Sequence, residues 1–118
     1  MKKVEINQTT FFVIGQKDSE NWIIIRRAKE IKEEDKTKKV LWFHLDDHPS
    51  SHVILVCEED PTPEQIEMAA AACKAHSKQK MALNVSVVYG PIEAVWKNEK
   101  GKVGSVLTND KMMKRMKV

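Results

Sequence analysis

Apolar and polar positions along the chain form short runs that predict several β-strands. Residues 9–14 are β-branched and aromatic and stop at Gly15, which is typical of a strand that ends in a turn. The apolar runs 41–43 and 53–56 have the composition of buried strands, and a short polar loop with a proline joins them. The alternation over residues 85–89 predicts a further strand.

A first helix is predicted after the polar residues 18–21, which are suited to a helix start. Trp22 and Ile25 then begin an apolar series at helical spacing, although the β-branched run 23–25 also fits a strand. The charged residues 29–39 are expected to form an exposed connection or a frayed helix end.

A second helix has a clear start. Thr62 stands before Pro63 at the first helical position, and Gln65 follows the threonine by three residues, as in a capping box. The pattern continues to about Ser77, and the alanine run 69–72 allows close packing on a sheet.

The last third of the chain predicts a hairpin and a final strand. Residues 94–97 and 103–107 flank a turn at 98–102, and a short strand is expected within 112–118. The fold class predicted for residues 1–118 is α+β: a single domain with a largely antiparallel mixed β-sheet packed by two main helices.

Composition agrees with one soluble domain. The 118 residues are 42% hydrophobic and 31% charged, and no apolar run approaches the roughly 20 residues that span a bilayer. The N-terminus is charged and lacks the apolar core of a signal peptide, so we expect a cytoplasmic protein without membrane contact. Two cysteines make no disulfide framework, and we expect Cys57 and Cys73 to be reduced and buried.

Charge is segregated along the chain. Residues 40–68 contain seven acids and no Lys or Arg, whereas residues 69–118 contain ten bases and three acids. A basic C-terminal half is suited to phosphate binding, and a solvated lysine-rich face explains the same charges without a ligand. Clustering of the bases on one face would favour nucleic acid.

A metal site is one interpretation of the histidines. His44, His48 and His52 are four residues apart, but Pro49 would break a helix that aligned them. In a hairpin, His44 and His52 could still approach each other with Asp46 or Asp47. Structural zinc sites are usually richer in cysteine, so we predict no metal and no other cofactor.

The chain contains residue types used in nucleophilic catalysis but no motif that arranges them for it. Ser50 and Ser51 lie near histidines and aspartates, yet the chain has no Gly-x-Ser-x-Gly elbow and no glycine-rich phosphate loop. Serine and histidine in a turn are more often satisfied by local backbone bonds. We therefore do not expect an enzyme.

Nucleic-acid binding has independent support from the loop and from the C-terminal lysines. The loop offers hydroxyls and imidazoles suited to phosphate or 2′-hydroxyl contacts, and Lys97, Lys100 and Lys102 supply charge near the predicted hairpin. Aromatic side chains could stack on bases. Trp42 and Trp96 are instead expected in the core, because large aromatics flanked by apolar residues usually pack.

The segment Trp42-Phe43-His44, followed by Pro49-Ser50-Ser51-His52-Val53, resembles the W-x-H…P-G-S-H-V core of the NFACT-R domain, the RNA-binding module of NFACT proteins. Weaker landmarks follow in the family's order: a helix ending in Ser77 with Lys78 and Lys80 after it, the 85–89 strand, and Lys97 before a basic turn. The similarity runs from about residue 11 to 118. Ser50 replaces a glycine common in the family.

The resemblance implies a small RNA-binding module that contacts tRNA or rRNA, and with it the ribosome, in translation or ribosome quality control. The chain has no room for the helix-hairpin-helix and coiled-coil parts of full NFACT proteins, so we expect a stand-alone domain. The alternative is a protein–protein docking module without nucleic-acid contact. The predicted RNA-binding residues are His44, His48, Ser50, Ser51, His52, Lys78, Lys97, Lys100 and Lys102.

Overall fold

Antiparallel strands form a central sheet that carries one helix on each face. The structure is a computed structural model and describes residues 1–46 and 48–118. Its strands are β1 (Lys2–Asn7), β2 (Thr10–Ile14), β3 (Lys39–Leu45), β4 (Val53–Cys57), β5 (Ser86–Pro91), β6 (Val95–Lys97), β7 (Val106–Thr108) and β8 (Lys114–Lys117). The helices are α1 (Asp18–Glu34) and α2 (Pro63–Ala75), and short 3₁₀ turns occupy Ile92–Ala94 and Asp110–Met112.

The main sheet has the strand order β1-β2-β4-β3-β5-β8, and β6 pairs with β7 in a separate two-stranded ribbon. Every pairing in the described part of the chain is antiparallel. The predicted α+β class is therefore confirmed. All five residues of β4 are buried because this strand lies inside the sheet and is covered on both faces.

Alternation along β3 and β4 divides the core into two layers. Trp42 and Ile54 point to the face covered by α1, whereas Phe43 and Val53 point to the face covered by α2. Ala69 and Ala70 of α2 lie fully buried against the second face, where their small size allows close packing.

The predicted capping box of α2 is present. The Thr62 side chain accepts a hydrogen bond from the Gln65 backbone N–H at 3.1 Å, and the Gln65 side chain accepts one from the Thr62 N–H at 3.0 Å. The helix ends at Ala75, two residues before the predicted end.

Helix α1 is longer than the sequence pattern suggested. Of the two alternatives for residues 29–39, an exposed connection or a helix end, the helix extends to Glu34, because Lys, Arg and Glu are good helix formers that stay solvated on its outer face. The alternative strand over 23–25 is not adopted, since Ile24 and Ile25 pack on the sheet from a helix. No helix in the described residues has the length and apolarity to cross a membrane.

One strand was not predicted, and the predicted start of another was wrong. Strand β1 was not predicted, because only Val4 and Ile6 turn toward the core of this charged edge strand. Strand β7 begins at Val106 rather than at residue 103, since residues 101–104 complete the turn.

Both cysteines are free and buried. Burial raises the pKa of the Cys73 thiol well above its usual range, because an apolar surrounding disfavours the thiolate. The expectation of buried, reduced thiols is confirmed.

Candidate nucleic-acid interface

Hydrogen bonds of Ser50 stabilise the loop between β3 and β4. Its hydroxyl accepts a hydrogen bond from the Leu45 backbone N–H at 3.1 Å and donates one to the Ser51 carbonyl at 3.0 Å. The Ser50 backbone also forms an isolated β-bridge with Ser77, just beyond α2. The Ser50 side chain is thus committed to holding the loop in shape against the end of α2.

Three aromatic rings pack at the base of this loop. The indole N–H of Trp42 donates a hydrogen bond to Nδ1 of His52 at 2.9 Å. The His44 ring lies parallel to Trp42, with centroids 5.9 Å apart, and meets His52 edge-on at 4.6 Å. His52 is only 3% exposed, so it is part of the wall behind the loop.

Burial dominates the acid–base behaviour of both histidines. Burial in an apolar surrounding and, to a smaller extent, the neighbouring His44 together lower the pKa of His52 to about 3. Burial also lowers the pKa of His44, against the opposing effects of the Leu45 carbonyl and the Asp46 carboxylate. Both rings are therefore neutral at physiological pH.

A cleft of about 760 Å³ opens between the start of α1, the loop and the end of α2. Its polar and basic walls include Lys17, His48, Ser51, Lys78 and Lys80.

A second cleft of about 410 Å³ lies between the same loop and the β6–β7 ribbon. It is lined by Trp42, His44 and His52 on one side and by Lys102 and Ser105, among others, on the ribbon side. The two clefts share a wall formed by Asp18, Asn21, Pro49 and Ser50. We call the two clefts together the loop groove.

Positive charge prevails along the loop groove. In the described part of the chain, its walls carry four lysines (Lys17, Lys78, Lys80 and Lys102) and one acid, Asp18. The acidic run Glu58–Asp60 follows the far end of β4, away from the loop. The fold thus places these lysines beside the loop and the acidic run away from it. The sequence alone showed only which segments are basic and which are acidic.

Most of the predicted RNA-binding residues meet in the loop groove. Those that line it are His44, His48, Ser50, Ser51, His52, Lys78 and Lys102. Lys97 and Lys100 lie on the ribbon outside its walls, and Nζ of Lys97 stands 5.4 Å from the ring centroid of Trp22. Direct RNA contact by these residues stays a prediction.

The prediction that Trp96 lies in the core was wrong, whereas Trp42 is buried as expected. Val95 turns inward from β6, so Trp96 points to the opposite face of a two-stranded ribbon that no further layer covers. Trp96 is 47% exposed, and Nζ of Lys29 lies 5.5 Å from its ring centroid.

Sequence reasoning missed several groove residues: Lys17, Asn21, His76 and Lys80. Lys80 carried a usable signal, as one of two lysines after the predicted α2. Lys17 stands directly before a predicted helix start, and nothing in the neighbouring sequence indicated that it would lie near the loop. Asn21 was interpreted only as a residue of the helix start.

The structure brings two of the three spaced histidines together, His44 and His52. Among residues 1–46 and 48–118, no group of three His, Cys, Asp or Glu side chains could hold a metal ion. Asp47, named as a candidate metal ligand, lies outside the described residues.

The sequence model of the family described as "NFACT protein RNA binding domain" matches residues 4–111, nearly the whole chain. The chain belongs to the NFACT RNA-binding domain family. This membership supports a general RNA-binding role, with RNA as a partner. It confirms the resemblance that rested on the Trp42 to Val53 segment.

This NFACT RNA-binding domain is also similar to a solved structure, the C-terminal part of the fibronectin/fibrinogen-binding protein from Streptococcus suis. The two chains are 26% identical, and the TM-score is 0.77. The match covers 98% of this chain and 43% of the streptococcal chain, so the present chain spans less than half of that structure. No curated protein matches the chain.

Proposed function

We propose that the loop groove holds an RNA backbone, and that the RNA is tRNA or rRNA met in the cytoplasm during translation or ribosome quality control. The carrying observation is that the fold places two neighbouring clefts beside the histidine–serine loop, and that their walls together carry four lysines against one acid. Phosphates are the ligand that such a surface favours, because each contact releases condensed counterions.

Within this proposal the groove residues act in different ways. Lys78 in the first cleft and Lys102 in the second neutralise phosphates, while His48 and Ser51 hydrogen-bond to sugar and phosphate oxygens. His52 is largely buried and forms part of the wall of the second cleft. We propose a binding module rather than an enzyme.

Removing Lys78 and Lys102 should weaken RNA binding and should also reduce its salt dependence. For the Lys78→Ala/Lys102→Ala variant we expect about tenfold weaker tRNA binding at low salt. The slope of log K against log salt is negative, and we expect it to become less negative by about 1.4, or about 0.7 for each lost phosphate contact of an unpaired strand. Fluorescence anisotropy across a salt series measures both quantities.

The matched control is Lys36→Ala/Lys39→Ala, which removes the same charge. Lys36 is exposed between α1 and β3, and Lys39 is the exposed first residue of β3, at the opposite end of that strand from the loop. Lys39 forms only a surface ion pair of 3.7 Å with Asp60. If both double variants lose the same affinity and slope, net charge alone explains binding and the groove does not. Absence of tRNA binding by the wild-type domain at low salt would contradict the proposal itself.

Protein docking is a second candidate, favoured by one feature of the ribbon. Trp96 and Leu107 are directly paired across β6 and β7, and both are about half exposed, at 47% and 55%. Exposed apolar pairs of this kind are enriched at protein interfaces.

Docking at this ribbon predicts partner capture that survives nuclease treatment. We expect such capture to be lost in Trp96→Ser/Leu107→Ser and retained in Lys78→Ala/Lys102→Ala. Affinity purification from nuclease-treated and untreated extracts tests it. If capture disappears after nuclease treatment, RNA and not the ribbon holds the captured protein.

A further inference from the structure

We propose that the second cleft of the loop groove receives one unpaired RNA base, recognised by Nε2–H of His52 as donor and Nε2 of His44 as acceptor. This inference rests on the proposed function and adds the ligand's identity to it. The cleft, at about 410 Å³, lies in the size range of small-ligand sites and is lined by three aromatic rings and Pro49. The rings offer flat surface on the loop side of the cleft, whereas Asp18, Asn21, Lys102, Ser105 and Thr108 make other parts of its walls polar.

The hydrogen bond from Trp42 fixes the tautomer of His52. An indole N–H can only donate, so Nδ1 of His52, 2.9 Å away, must be the accepting nitrogen. A neutral imidazole carries one proton, which therefore sits on Nε2. His52 presents a donor at that atom.

The opposite tautomer follows for His44. Its Nδ1 lies 2.6 Å from the Leu45 carbonyl oxygen, which can only accept, so Nδ1 carries the proton and donates. Nε2 of His44 is then an acceptor. The two rings meet edge-on with centroids 4.6 Å apart, which places a donor and an acceptor on neighbouring rings.

Neither Nε2 atom has a hydrogen-bond partner among the described residues. In the described chain, Oδ1 of Asn21 is the one fully buried side-chain polar atom without a partner. The Nε2 atoms of His44 and His52 are not among such atoms, and both residues line the second cleft.

A donor beside an acceptor matches the Watson–Crick edge of a nucleobase, where a donor and an acceptor also stand side by side. That edge is free only when the base is unpaired. Lys102 lies on the ribbon wall of the same cleft, where it can contact the phosphate attached to such a base. The cleft thus selects an unstacked, unpaired nucleotide.

The test compares a short single-stranded RNA with an abasic oligonucleotide of the same length and charge. We expect the wild-type domain to bind the RNA at least about fivefold more tightly, as one recognised base implies. In His44→Phe, which keeps an aromatic ring beside Trp42 but removes the acceptor, the preference for RNA over the abasic oligonucleotide should become smaller. Abasic affinity should stay unchanged.

The wild-type comparison decides the question even if the variant does not fold. Equal affinity of the wild-type domain for both oligonucleotides would overturn the base site while leaving backbone binding intact. Failure to bind either oligonucleotide at low salt would overturn the proposed function instead. Full discrimination retained by a folded His44→Phe variant would overturn the assigned acceptor.

Discussion

Lowering the pH from about 7.5 to about 5 is expected to reduce the free energy of unfolding by about 2 kcal/mol through His52 alone. In the folded domain the pKa of this ring is about 3, whereas its ordinary value is 6.5. The ring is 3% exposed, and Trp42 occupies the nitrogen that protonation requires. Charging His52 therefore needs both desolvation of a cation and loss of this bond.

The sign follows from proton uptake. Between pH 6.5 and about 3 the unfolded chain binds a proton at His52 that the folded domain does not. The stabilising effect is fully present above pH 6.5 and is lost as the pH falls toward 3. Protonation of His44 acts in the same direction, because burial lowers its pKa as well.

Urea unfolding of the wild-type domain and of His52→Gln at both pH values measures this effect. Glutamine keeps an acceptor for Trp42 and does not titrate, so the variant should lose about 2 kcal/mol less than the wild type between the two conditions. Parallel losses in both proteins would show that His52 does not control the acid sensitivity.

The elements that sequence predicted best are those with strong local chemistry. The helix start at Thr62 follows from residues within one turn, and the two apolar runs around the loop are strands whatever surrounds them. Their composition did not reveal that a helix covers each face of the sheet. That arrangement depends on which face of each strand meets α1 or α2.

The site was only partly predictable, for a related reason. His44, His48 and His52 lie within nine residues, so their grouping in one loop was visible in the sequence. Their different exposures were not: alternation along the strands turns His52 inward against Trp42, whereas His48 stays exposed. The meeting of Lys78 and Lys102 around this loop depends on contacts between distant segments.

Substituting Gly104 by alanine is expected to destabilise the domain by about 1–3 kcal/mol and to disrupt the second cleft. Gly104 has φ of +90°, which side chains rarely adopt, and a Cβ there would lie 2.7 Å from the backbone oxygen of Asp18. The ribbon would have to move away from the first turn of α1. That movement would break the bond of 2.8 Å from Trp22 Nε1 to the Ser105 carbonyl.

Gly101→Ala is the matched control on the same turn. The nearest atoms to a Cβ at that position belong to the side chains of Asn98 and Ser105, which can rotate away, and its φ lies outside the glycine-favoured region. Urea unfolding, the NMR signal of the Trp22 indole N–H and RNA affinity should therefore change in Gly104→Ala and stay near wild type in Gly101→Ala. A moved Trp22 signal in Gly104→Ala would show that the ribbon is displaced. If RNA affinity were still that of the wild type, RNA binding would not need the ribbon wall.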